Sequence, residues 1–134
     1  MREQPGLTEL IDAVSEFITR DLAPTLTGRL AFHARVAANV LAIVKREVEQ
    51  GPAADLADAH RLAALLGGEG DPATQTEELC RRIEAGEIAA DDPALIEHLW
   101  ATTLATLAVD QPGYATYRRI VAAENTPKAE RGDA

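Results

Sequence analysis

The residues with the most versatile chemistry in this chain are three histidines, His33, His60 and His98. An imidazole can hold a metal or move a proton near neutral pH, but it needs partners at set spacings. A zinc hydrolase helix would carry His-Glu-x-x-His, and a di-iron bundle Glu-x-x-His. Neither occurs. Cys80 is the single cysteine, so no Cys-x-x-Cys site exists. "LLGGEGDP" has glycines but lacks the Lys-Ser/Thr pair of a phosphate loop, and no G-x-S-x-G elbow is present. No catalytic residue, cofactor or metal set is therefore assigned, and catalysis is not the expected role.

Polar groups instead collect in one stretch, "GRLAFHARVAANVLAIVKREVE", residues 28–49. At 100° per residue its apolar side chains fill a wide arc, and His33 falls near the centre of it. The spacing predicts a core histidine satisfied by a hydrogen bond; the alternative is a ligand-facing or proton-transferring group. Asp110 is a nameable partner. It closes a later helix, where the dipole disfavours a carboxylate and a cation such as His33 or Arg29 would offset it. Arg35, Asn39 and Arg46 cluster on the edge of the arc. They predict either a solvated or interhelically paired edge, or a stripe that binds an anion or a partner. His33, Arg35, Asn39, Arg46 and Asp110 are the candidate binding residues. His60, beside Asp58 and Arg61, and His98, off the large apolar face of its helix, are expected in solvent.

These residues need helices to hold them. Alanine and leucine dominate the apolar 46%, aromatics are only 4%, and no strand pattern appears, so the class is all-α. Thr8 caps a first helix, and Pro24 ends it. A long, central second helix over 29–50 stops at Gly51-Pro52. A third covers 53–66. Asp71-Pro72 and Asp92-Pro93 start two more, with Gly86 as a stop between them. The helix after Asp92 is expected to turn Leu95, Ile96, Leu99, Trp100, Thr103, Leu104 and Leu107 inward, and Cys80 fits another apolar stripe. A short helix covers 114–123. Short connections make an up-and-down bundle of five to six helices. Residues 1–124 form one domain, and 125–134 a flexible polar tail.

The net charge of −9 argues against nucleic acid, which needs clustered cations. The pairs Lys45-Arg46, Arg81-Arg82 and Arg118-Arg119 each sit near acids. No apolar run reaches the ~18 residues of a membrane span, and no signal pattern opens the chain. A lone cysteine fits the reducing cytoplasm. The width of the apolar arc on the second helix leaves open whether this chain or a second copy covers it, so a homodimer is one expected assembly.

"GRLAFHARVAANVLAIVKREVE", "LCRRIEAGE" and "LWATTLATLAVDQPGY" together resemble a group of small uncharacterised bacterial proteins that carry a domain of unknown function. The resemblance implies no activity and no site residues. It implies a context: neighbours of aminoglycoside-phosphotransferase-like kinases, often near acyl-CoA dehydrogenases. Three roles follow as expectations. One is an accessory or regulatory protein for such a kinase. Another is a small-molecule-binding or catalytic bundle linked to acyl-CoA metabolism. The third is a self-associating structural module.

Overall fold

The computed structural model describes residues 4–126. Its described residues form five α-helices and no strand: α1 (Leu7–Glu16), α2 (Gly28–Leu66), α3 (Pro72–Glu84), α4 (Pro93–Asp110) and α5 (Ala115–Glu124). The chain divides into two compact units, Met1–Ala53 and Ala54–Ala134, and α2 contributes to both. The expected tail falls largely on 127–134, outside the described residues. No helix among the described residues is long and apolar enough to cross a membrane.

In the first unit, α1 starts one residue before Thr8. Gly6 is its cap, and the Gly6 N–H donates to Glu9 Oε2 at 2.8 Å. The helix then widens into a π-helical turn over Phe17–Leu22 and tightens into a 3-10 turn over Ala23–Thr25. The expected stop at Pro24 is corrected: α1 itself ends at Glu16, Ala23 before the proline keeps helical dihedrals, and the chain becomes extended only at Leu26. α1 then packs antiparallel on the first part of α2. Ile11 and Ala34 are buried in this unit. Lys45 Nζ donates to Asp12 Oδ1 and Oδ2 at 2.8 and 2.9 Å between the two helices. That bond, with the Asp12 and Glu49 charges, holds the Lys45 ammonium above its usual pKa.

α2 corrects the expected break at Gly51-Pro52. It runs 39 residues with Pro52 inside it, about 58 Å at 1.5 Å per residue. Proline removes one hydrogen bond, to the carbonyl four residues back, and its ring also collides with the Cβ of the preceding residue. Here that residue is glycine, which has no Cβ. Gly51 thus removes the Cβ part of the usual objection to helix before proline. Alanine and leucine in the following "AADLADAHRLAALL" carry the helix onward.

In the second unit, Leu62 of α2, Leu79 of α3 and Leu95 of α4 form the core, with Leu65, Leu66, Ile83 and Ile88 packed against them. The boundaries follow local chemistry. α2 ends on Gly67 at φ +83°, whose N–H donates to the Ala63 carbonyl. Its freed carbonyls near the end are taken by side chains: Arg82 donates to Leu66, and the buried Gln75 amide donates to Gly68. Asp71 accepts the Thr74 N–H, and Asp92 accepts those of Ala94 and Leu95. Both expected Asp-Pro starts therefore hold. Gly86, at φ +73°, follows the end of α3 as expected.

Glu78 accepts from Arg81 and Arg82 at 2.8–2.9 Å, and Arg81 also reaches Glu87. The Arg81 hydrogen bonds, then those of Arg82, pull the Glu78 carboxyl down to a pKa of about 2. A depressed carboxyl pKa adds stability above its ordinary value of 4.5, and that stability is lost as pH falls toward 2. Glu78→Gln should therefore flatten the acid limb of stability between pH 4.5 and 2, read by urea melts across that range. Pro52→Ala should restore the missing hydrogen bond and raise stability, by up to ~3 kcal/mol. Unchanged or lower stability in denaturant titration would show that Pro52 sits in α2 without strain.

Candidate functional site

α2 does not bury its apolar arc. Ala34 is buried, and Ala38 and Lys45 on the same side are half-buried, while Phe32, Val36, Val40 and Val44 are exposed. Small side chains allow close helix approach, and the helix turns its alanine side inward and its bulk outward. His33 goes with the bulk. The expected core histidine is corrected: His33 is exposed and accepts from Arg29 Nε at 3.3 Å, with the Phe32 ring edge-on at 5.7 Å. Arg35 and Asn39 are exposed on the neighbouring edge, with the half-buried Arg46 further along. Asp110 is exposed at the C-terminus of α4, in the other unit. His33 therefore takes its hydrogen bond within its own helix, from Arg29.

α4 repeats the inversion. Leu95, His98 and Val109 are buried, and Ala101, Thr102 and Ala105 beside them are half-buried. Ile96, Leu99 and Trp100, expected inward, are about half exposed, and Thr103 is exposed with them. Cys80 is exposed as well.

The inward face of α4 brings together a cluster that sequence reasoning missed. Asp58 of α2 accepts from Thr102 Oγ1 at 2.7 Å and from Arg61 Nη2 at 3.2 Å. His98, expected in solvent, is only 6% exposed, and its Nδ1 lies 3.6 Å from the same Asp58 oxygen. That is too long for a hydrogen bond. Among the described residues, His98 Nδ1 and Arg61 Nε are buried without a hydrogen-bond partner. The signal was present in the sequence as two polar pairs at helical spacing, Asp58/Arg61 and His98/Thr102. On α4 it lay in line with Leu95, Val109 and small residues, away from Leu99, Leu104 and Leu107. His60, exposed as expected, and Arg61 border an open cleft of about 320 Å³ with Leu65 and Glu97.

This arrangement can hold one carboxylate firmly and align two helices. Among the described residues, no group of three or more His, Cys, Asp or Glu side chains could hold a metal ion. In comparisons with known proteins, a family model described as a domain of unknown function, DUF6285, matches residues 24–114. No curated protein and no solved structure matches the chain.

Asp58→Ala would strand the Thr102 hydroxyl and the Arg61 guanidinium. It should cost about 2–3 kcal/mol in chemical denaturation, the range for buried bonds to a charged group. Thr102→Val, which removes one neutral donor, should cost about 1 kcal/mol. Equal, near-zero effects would mean that the cluster is not holding α2 to α4.

Proposed function

We propose, for a chain that belongs to the DUF6285 family of unknown function, the role of an accessory or regulatory interaction protein for a phosphotransferase-like kinase. The observation that supports this is the outward face of α4. Ile96, Leu99 and Trp100 stand about half exposed at helical spacing. A helix that is apolar on every side is normally covered on every side. Tryptophan ringed by aliphatic groups is the side chain most often dominant at protein interfaces. Thr103, Thr106 and Asp110 are exposed on the same side and supply a polar rim. Asp110 stands at the negative end of the helix dipole, so a cation on the partner would offset it. The choice of kinase as partner comes from the sequence resemblance and its implied neighbourhood.

The second reading is a small-molecule bundle linked to acyl-CoA metabolism. The open cleft beside His60 and Arg61 favours it, since a guanidinium suits phosphate or carboxylate. An acyl-CoA thioester should then raise the melting temperature in proportion to the logarithm of its concentration. A flat response would remove this reading.

For the first reading, the two proteins should co-elute and the kinase rate should change on mixing. Trp100→Ala should weaken the complex by ~2 kcal/mol or more, about thirtyfold in Kd. Separate elution with an unchanged kinase rate would overturn the proposal.

A further inference from the structure

We infer that the outward face of α4 takes a basic amphipathic helix, one apolar stripe bordered by lysine or arginine. This rests on the reading of α4 as a docking face and names the chemistry of the segment that docks there.

The first observation is the shape of the face. Ile96, Leu99, Trp100 and Thr103 are exposed at i, i+3, i+4 and i+7, and the half-buried Leu107 continues the row. At 100° per residue these five fill an arc of about 100°, and Asp110 falls inside it. The buried Leu95, His98 and Val109 point roughly 130° away by the same step. The row is therefore continuous and clear of the core. It is one helix wide and, from Ile96 to Leu107, about 17 Å long. A stripe of this spacing packs into the like-spaced stripe of another helix.

The second observation is where the charge lies. Residues 54–134 carry 15 acids against 7 lysines and arginines, a net −8, while residues 1–53 carry 7 against 6, a net −1. Nearly all of the chain's −9 therefore belongs to the second unit. From 54 to 114 the arginines and lysines are Arg61, Arg81 and Arg82 alone. Each is already hydrogen-bonded to a carboxylate, of Asp58 or Glu78. α4 itself contains neither lysine nor arginine. Exposed acids stand around its row: Asp91 just before the helix, Glu97 on the flank and Asp110 at the last residue. α5 adds the exposed Arg118 and Arg119, which reduce the negative charge of the unit without reversing it.

The two observations together choose the occupant. An apolar row set among acids disfavours a second copy, since this face laid on itself brings carboxylate to carboxylate in either direction. It disfavours an acidic partner for the same reason. A helix with cations beside its apolar stripe meets both the row and the charge. Attraction between the charges would speed encounter, and burial of the row would set the lifetime.

The test uses Trp100, the one tryptophan of the chain, which stands half exposed on the row. The probe is a tryptophan-free synthetic helix of leucine and lysine, with leucine at i, i+3, i+4 and i+7, titrated into the full chain. Trp100 emission should shift to the blue and saturate at one peptide per chain. The apparent Kd should rise about tenfold between about 50 and about 500 mM salt. Ile96→Gln with Leu99→Gln should weaken binding about tenfold, with circular dichroism as the check on folding. Glu97→Gln with Asp110→Asn, at exposed polar positions, should weaken it about fivefold. A leucine–glutamate helix of the same pattern should leave the emission unchanged, as should a lysine peptide whose leucines are scrambled off one face. Four results would overturn the inference: no shift with the leucine–lysine helix, equal binding by the glutamate helix, equal binding by the scrambled peptide, or a blue shift on concentrating the chain alone, which would assign the face to a second copy. No kinase enters these titrations, so a kinase that elutes separately and a face that rejects basic helices are read as distinct failures.

Discussion

A proline in mid-helix costs one hydrogen bond and, ordinarily, a steric conflict with the residue before it. In this chain the conflict is reduced because that residue is Gly51, which has no Cβ, and α2 continues to Leu66. Both units depend on this continuity. The first part of α2 gives α1 its packing surface and supplies Lys45 to Asp12. The last part supplies Leu62 to the core and Asp58 to Thr102 and Arg61. Two separate helices would need a capped end and a new start at Gly51–Ala53, where α2 instead keeps its backbone bonded on either side of one gap.

Small side chains then decide which way each helix faces. α2 turns its alanine side, with the buried Ala34, the same way as the Lys45 that meets Asp12 of α1, and α4 turns inward around Leu95, His98 and its alanines. Close approach of backbones gains dispersion contacts, and each buried methyl adds transfer energy at roughly 25 cal/mol per Å². It also leaves the largest apolar groups, from Phe32 to Trp100, in contact with water. The polar interior of α4 fits the same logic: a carboxylate that accepts from two donors gives a narrow seam a fixed register, where leucines would hold the helices further apart.

Much of the fold was legible because the signals were local. Asp71-Pro72, Asp92-Pro93 and Gly86 act through atoms within one turn of themselves, so no tertiary knowledge was needed to read them. Gly51-Pro52 was misread because the same two residues carry two opposite effects, a missing donor and a missing Cβ. The facing of the helices was not legible. Periodicity reveals an apolar stripe but not whether this chain or another covers it. On α2 the arc containing His33 was wide enough to be mistaken for the core, while the alanine side carried no obvious signal. The Asp58 cluster was hidden for a related reason, since its four members come from helices far apart in sequence and each looks like an ordinary surface residue alone.

Lysine is scarce in this chain. Only two of the 13 basic residues are lysine, and the remainder are arginine. Of the two, Lys45 is clasped by Asp12 and held as an ammonium ion. A protonated amine is a poor nucleophile, so acylating reagents and acyl donors meet a blunted target there. Guanidinium groups stay charged at any pH a cell reaches. The charges of Arg29, Arg35 and Arg46 on α2 are therefore fixed, and lysine acetylation does not act on them.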